Sequence, residues 1–433
     1  MKKSKKIVYV GLSADILHEG HINILKIANK LGEVIVGLLT DQAIASYKKI
    51  PHLNFKQREI VLQNITFVKK VIPQHTLDYR PNLKLIRPDY VVHGDDWKTG
   101  IQKKTRLQVI EVLKKWKGKL IEPKYTKNIS STLLKNEILK VGTSPDKRKS
   151  KLKRILDAKG IVRILESHSA LVGLIIENLK VYKKQNYLEF DGMWSSSLTD
   201  SALRGKPDNQ SVDYSSRILG LNEILDVTTK PVIFDADNGG RLEHLPYMIK
   251  SLERIGVSAV IIEDKVGLKK NSLFENQSGA RQDTIKGFCQ KIKKAKDTKI
   301  SNDFMIIARI ESFILGKGLD DALKRAESYS KAGADAILIH SKEKNPNQIF
   351  SFSKKFQKSK FFKPLVAVPS SYSKTYEKDL IKNGFKIIIY ANHMMRASYP
   401  AMVNVAKSIL VNKRSYEAEK NISTVKEIIN LIK

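Results

Sequence analysis

The chain has 433 residues, 42% hydrophobic and 28% charged, enough for two or three domains and a balance that excludes wholesale disorder. No run approaches the roughly 18 apolar residues of a membrane span, and the single cysteine, Cys289, excludes an internal disulfide, which fits a reducing cytoplasm. The net charge of +34 comes from 62 Lys and only 16 Arg spread along the chain; it reads as a solvated surface that attracts anionic substrates, not as a nucleic-acid patch.

The start MKKSKK runs into an apolar segment that Asp15 breaks and that has no small-residue cleavage site, so no secretory leader is expected. KKIVYVGLS reads as a first strand, and HINILKIANKLG has helical spacing with Gly32 as its stop. EVIVGLLTD is a second strand, KQREIVLQNI a second helix and VKKVIP a third strand, with PDYVVHGDD and GKLIEPKY supplying two more. Strands separated by helices predict a parallel sheet with crossover helices over residues 1–142. Its ligand belongs beyond the carboxyl ends of the strands.

Residues 143–154, GTSPDKRKSKLKR and its edges, form a basic junction expected as a linker or first helical turn. Residues 155–433 then carry eight candidate strands: IVRILESH, FDGMWSSS, PVIFDADNG, AVIIEDK, MIIARIES, AILIHS, LVAVPS and IIIYAN. Most precede a helical stretch such as GLDDALKRAESYSKAGA. Eight such units in this length predict a (β/α)8 barrel of the TIM type. The expected class is therefore α/β, a Rossmann-like domain followed by a barrel.

Asp235, Asp237, Glu263, Lys265, Arg309, His340 and Asn392 all fall where an apolar strand ends, and barrel active sites are built on that rim. Three carboxylates at one spot, Asp235, Asp237 and Glu263, repel unless a cation balances them, and hard oxygen donors favour Mg²⁺. A cation with Arg309, His340 and Lys269 suits an anionic substrate, a phosphate or a carboxylate.

The segments MWSSSL, FDADNGG, IIEDKVGLKKNSLF, IIARIESF, ILIHSK and YANHMMRAS resemble phosphoenolpyruvate mutases of the isocitrate lyase superfamily. The loop KVGLKKNSLF has neither Cys nor His, whereas the carbon–carbon lyases carry a proton-donating Cys in a KKCGH-type loop, so that cleavage is disfavoured. Asn271 stands where phosphonopyruvate hydrolases have Thr, which favours the mutase over the hydrolase alternative. The resemblance implies reversible transfer of a phosphoryl group from oxygen to carbon, turning phosphoenolpyruvate into phosphonopyruvate. It implies Mg²⁺ on Asp235, with Asp237 and Glu263 holding its waters, and Trp194 as a wall beside the enolate. Ser196, Ser197, Leu198 and Arg309 would bind the substrate, Ser197 standing where the family often has Gly. Asp208 would position it, and Lys269, Asn271 and Ser272 belong to a gating loop, 267–275, that excludes water. Asn271, Ser272, Arg309 and His340 would steady the phosphoryl group in transit. The resemblance further implies a homotetramer with exchanged C-terminal helices and a pathway partner, a thiamine-dependent decarboxylase of phosphonopyruvate.

In the first domain, His18 and His21 of HEGH lie three residues apart at a helix start beside free backbone N–H groups, an arrangement that stabilises phosphate charge. No third ligand lies nearby for zinc. With YVVHGDDW and ISSTLLK, the motif resembles the cytidylyltransferase-like nucleotidyltransferases. The resemblance implies CTP as co-substrate, its triphosphate on His18 and His21, and phosphate contacts from Lys49, Arg58, Ser130 and Thr132. Asp15 would match the acid of the family's DLLH-like segment, and Asp95 the base side of the site. Leu12 replaces a Gly usual in the family, with Gly11 one place earlier, and Lys124 or Lys127 stands in for an Arg before the ISST motif. A fusion of this kind resembles bifunctional enzymes of phosphonate biosynthesis, which makes the acceptor a phosphonate. The alternative from another class, a polycationic nucleic-acid binder, lacks any aromatic-basic stacking motif.

Overall fold

The computed structural model describes residues 5–99, 102–124, 126, 143–183, 186–267, 269–273 and 276–431. The chain divides into two compact units: the first runs to Val162 and includes Leu179–Glu189, and the second comprises Arg163–Asn178 and everything from Phe190 onward.

In the first unit, strands β1 (Ile7–Leu12), β2 (Glu33–Leu39), β3 (Val68–Gln74), β4 (Tyr90–Val92) and β5 (Lys119–Ile121) form one parallel sheet, ordered β3-β2-β1-β4-β5. These are the five strands expected, in a Rossmann-like order that reverses at β1. Helices cover both faces, so β1 sends Val8, Val10 and Leu12 into one apolar cluster and Tyr9 into another. The reversal opens a crevice between β1 and β4, the usual ligand position.

The basic run 143–154, expected as a linker or first helical turn, is mostly helix. The Ser144 side chain accepts from Lys147 N and so caps helix Pro145–Ala158, in which Leu152 and Ile155 are buried three residues apart on one face. A short antiparallel hairpin, β7 (Val181–Lys183) and β8 (Asn186–Leu188), also belongs to the first unit.

In the second unit, β6 (Val162–Glu166, begun at the unit boundary), β9 (Gly192–Ser195), β10 (Val232–Asp235), β11 (Ala259–Glu263), β14 (Met305–Ile310), β15 (Ala336–Ile339), β16 (Leu365–Ala367) and β17 (Phe385–Tyr390) close a parallel barrel in chain order. A two-stranded ribbon of β12 (Lys265–Val266) and β13 (Arg281–Gln282) follows β11. All eight barrel strands fall where the sequence places them, and a helix follows each. The strands are buried on both faces, which is why they read as apolar runs without alternation. Their carboxyl ends gather Asp235, Glu263, Arg309 and His340 on one rim. At the far end of the chain, helix His393–Asn412 buries none of its residues. Among the described residues no helix is long and apolar enough to cross a membrane.

Candidate active sites

The barrel rim is a buried network of charges. Asp235, at the end of β10, accepts from Ser197 Oγ at 3.0 Å and from the backbone N of Asp237 at 3.1 Å. The latter contact holds Asp237 in a left-handed turn, φ 49°, a conformation Asp tolerates better than most residues. Glu263 N closes the turn on Asp237 O at 2.7 Å. Lys269 donates to Asp208 Oδ1 at 2.7 Å and also meets Ser197 Oγ and Asp237. Asn271 Nδ2 donates to the other Asp208 oxygen at 2.8 Å. Ser272 Oγ receives Arg309 Nη2 at 2.9 Å and Lys265 Nζ at 2.8 Å. Arg309 Nη2 lies 3.3 Å from Glu263 and 3.0 Å from His340 Nδ1. Ser197 takes helical backbone as first residue of Ser197–Ala202, so its side chain fits where a Gly is usual.

The structure thus brings Asp208, Asp235, Asp237, Glu263, Lys269, Asn271, Ser272, Arg309 and His340 together, with Ser196 and Ser197 buried beside them. Trp194 is buried on β9. Leu198, Asp208 and Asn271 line a mouth cavity of about 650 Å³.

Burial would raise the Asp235 carboxyl, but Lys269, Arg309 and Arg217 hold it below the ordinary range. For Asp237 burial wins over Lys269 and Arg217, with Asp235 adding repulsion, and its pKa rises. Glu263 is pushed up to about 7 by burial, against the pull of Arg309. Its Oε1 accepts no hydrogen bond from a described residue, Lys265 Nζ standing 4.0 Å off. The same carboxylates outweigh burial to raise Lys269. Among the described residues no group of three His, Cys, Asp or Glu side chains is arranged to hold a metal ion, and Lys269 stands among the rim carboxylates.

Two rim residues carry more than the sequence signals. Arg217, buried on helix Tyr214–Asp226, donates to Asp235 O at 2.6 Å and Asp200 Oδ2 at 2.8 Å, and lies 3.7 Å from Asp237. Nothing in its helical segment marks it. Glu311, fully buried, meets Arg309, His340, Lys265 and Ser272. Its signal was its position two residues past Arg309 on an extended chain, hence on the same side.

The first unit holds a cavity of about 240 Å³ at its sheet reversal, lined among others by His18, His21, Lys48, Tyr79, His93 and Lys124. His18 caps helix Glu19–Leu31, its Nδ1 accepting from Gly20 N at 3.2 Å, and the His21 ring sits 4.0 Å from it. Burial lowers both imidazoles, His21 to about 4, with His18 and Lys48 adding to it. His93 stacks on Trp97 at 3.9 Å. A Cβ at Gly11 would meet the Tyr79 ring at 2.3 Å, so this glycine lets the ring lie over the end of β1.

The other expected nucleotide contacts are placed differently. Lys49 and Asp95 lie one residue from Lys48 and Asp96, which line the cavity; Lys49 is 3.8 Å from Glu189. Arg58 is spent on Ser13 O, Leu39 O, Leu53 O and Asp41. Asp15 accepts from the backbone of His52 and Leu53. Ser130, Thr132 and Lys127 lie outside the described residues.

Comparison with known proteins gives two family matches: residues 152–410 match the phosphoenolpyruvate phosphomutase family and residues 9–137 the cytidylyltransferase-like family. The phosphoenolpyruvate phosphomutase of Tetrahymena pyriformis is 35% identical over 68% of this chain and 94% of its own. A crystal structure of the phosphomutase from Streptomyces platensis subsp. rosaceus superposes with a TM-score of 0.60 at 33% identity, covering 67% of this chain and 95% of that one. Phosphonopyruvate hydrolase in complex with oxalate and Mg²⁺ superposes at 0.58 and 31% identity, covering 67% and 95%.

Proposed function

Because the chain belongs to the phosphoenolpyruvate phosphomutase family and carries a cytidylyltransferase-like domain ahead of its barrel, we propose that the barrel interconverts phosphoenolpyruvate and phosphonopyruvate with Mg²⁺, while the N-terminal domain transfers CMP from CTP to a phosphonate. The observation that carries the barrel reading is the seating of Lys269, Asn271 and Ser272 on Asp208, Asp237 and Glu311. Seated so, the segment would shield the rim from water, which would otherwise capture the phosphoryl group.

The oxygen donors at the rim suit a Mg²⁺ ion, although Lys269 stands among them. The donors are all oxygen, one buried Glu263 oxygen lacks a hydrogen-bond partner among the described residues, and Mg²⁺ takes only one or two carboxylates directly while keeping its waters. Asp235 would hold it directly, Asp237 and Glu263 through water. When bound, the ion supplies a hard cationic centre for the substrate's carboxylate and enolate oxygens.

In the proposed step the P–O bond of phosphoenolpyruvate breaks, its electron pair staying on the enolate oxygen. C3 of the enolate then bonds the same phosphorus, so neither proton nor water enters. A loose phosphoryl group needs positioning more than covalent help. Arg309, His340, Asn271 and Ser272 would supply that, with Ser196, Ser197 and Leu198 at the carboxylate end, Asp208 positioning and Trp194 as the enolate wall. Hydrolysis is the second reading, favoured by the similarity to a phosphonopyruvate hydrolase at 31% identity.

For the first unit, the triphosphate would lie along His18 and His21 with Lys48 and Lys124 nearby. A homotetramer is part of the proposal, supported by the exposed Tyr399, Met402, Leu410 and Val411 of helix His393–Asn412.

The test is ³¹P NMR of the protein with phosphonopyruvate and Mg²⁺, with and without EDTA. A phosphoenolpyruvate signal that EDTA abolishes is expected. Inorganic phosphate as the only direct product would replace the mutase by the hydrolase.

A further inference from the structure

We infer that Glu311 is a positioning residue that ties the seating of the Lys269–Leu273 segment to the alignment of Arg309 and His340. Its carboxylate is fully buried and divides its partners by oxygen. Oε1 accepts from Arg309 Nε at 2.6 Å and lies 3.0 Å from His340 Nδ1. Oε2 accepts from Ser272 Oγ and lies 3.3 Å from Lys265 Nζ. One oxygen therefore orients the two cationic-side groups aimed at the phosphoryl position, and the other is completed by the loop.

The backbone beneath this carboxylate is fixed from the opposite side. Glu311 N donates to Asp264 Oδ1 at 2.9 Å. The other Asp264 oxygen receives Gln282 Nε2 at 2.9 Å, Tyr329 Oη at 2.8 Å and Arg325 Nη1 at 3.2 Å. Glu311 is thus held at a fixed place, and what its oxygens meet depends on the loop.

A buried carboxylate is costly unless its acceptor sites are filled. With Ser272 withdrawn, Oε2 would keep Lys265 alone. Lys265 itself would lose two acceptors, Ser272 Oγ and Lys270 O, each at 2.8 Å. Arg309 Nη2 would lose Ser272 as well. Seating the segment satisfies all three groups together. By linkage, a ligand that holds Arg309 and His340 in this arrangement also favours the seated segment.

The inference rests on the barrel reading only for the substrate's identity, and the test separates the two. Glu311→Gln and Ser272→Ala are made in the full chain, each checked for a native urea midpoint. Trypsin cleavage after Lys269 or Lys270 is followed by mass spectrometry without substrate. Both variants are expected to be cut about tenfold faster than the parent, reporting local opening. With phosphonopyruvate and Mg²⁺, Glu311→Gln is expected to lower kcat about 10²-fold with KM little changed. The share of inorganic phosphate among its products rises. Unchanged cleavage in Glu311→Gln overturns the inference. If that variant does not fold, unchanged cleavage in Ser272→Ala overturns it instead. A parent protein that leaves phosphonopyruvate untouched would sink the substrate reading, while the cleavage rates still decide the role of Glu311.

Discussion

At the barrel rim Asp235, Asp237 and Glu263 are balanced by Lys269, Arg217 and Arg309 inside one buried network, whereas the cavity of the first unit presents two imidazoles that burial drives toward neutrality. At the rim Asp235 is held as a carboxylate by Lys269, Arg309 and Arg217, while burial raises Asp237 and pushes Glu263 up to about 7, so its strength lies in desolvated groups already in place. The imidazole pair would gain charge where a bound anion raises its proton affinity. The two sites should therefore respond to mutation and to pH in different ways.

The largest effect belongs to the pre-charged site. Asp235→Ala removes the proposed direct ligand of Mg²⁺ and the acceptor of Ser197. Interconversion of phosphonopyruvate and phosphoenolpyruvate should fall about 10³-fold, and added Mg²⁺ should not restore it. Full turnover in this variant, or in EDTA, would break the contrast at its root.

Next is the support under those carboxylates. Arg217→Met leaves Asp200 and Asp237 short of a buried cationic partner, and removing one member of a buried ion network costs about 3 kcal/mol. The urea midpoint of the barrel should drop accordingly. A midpoint unchanged within error would mean that the remaining cations suffice.

These two residues also mark how far the sequence carries. Asp235 was legible because a parallel barrel sends the carboxyl ends of all eight strands to one rim, so a carboxylate closing an apolar run declares its own position. Asp237 was legible as well, although only the structure gives the left-handed turn that aims it. Arg217 was not, because its partners are backbone oxygens and carboxylates of other elements that no local pattern records. The first unit shows the same limit. Helix Phe55–Gln63 buries Arg58 and Leu62 while exposing Ile60 and Val61, the reverse of what polarity suggests, so an arginine that reads as a phosphate contact spends its donors on the interior. Lys48 and Asp96 line the cavity, with the expected Lys49 and Asp95 next to them in the chain, and a difference of one residue in such short segments is not recorded by any periodic pattern.

The imidazole pair offers a smaller and sharper test. His21→Ala should lower CMP transfer about 10²-fold and leave phosphonopyruvate turnover unaltered. Burial keeps His21 neutral down to about pH 4, and a bound triphosphate would raise its proton affinity. CTP binding should then take up a proton and tighten as pH falls from 7 toward 5, which calorimetry in buffers of different ionisation enthalpy would read. The folded protein has the opposite preference when ligand-free. The depressed His21 pKa makes its contribution complete above the unfolded value near 6.5, with loss as pH falls from there toward 4. Affinity independent of pH would show that the imidazoles act as neutral donors and would erase the contrast with the rim.

The smallest effect asks what holds the aromatic wall of the first cavity. Trp97, stacked under His93, donates its Nε1 to Glu122 at 2.7 Å, and Arg106 donates to both oxygens of the same carboxylate, at 2.7 and 2.8 Å. Arg106 above all, with Trp97 assisting against burial, lowers Glu122 to about 2. A depressed carboxyl contributes stability that is complete above its ordinary value near 4.5 and fades as pH falls toward 2. Glu122→Gln should therefore cost about 1–2 kcal/mol at pH 7, and its deficit relative to the parent should shrink through that acid window. A deficit constant with pH would mean that packing of Trp97 against Tyr79 and His93 holds the wall, and that fixed charge matters at the barrel rim alone.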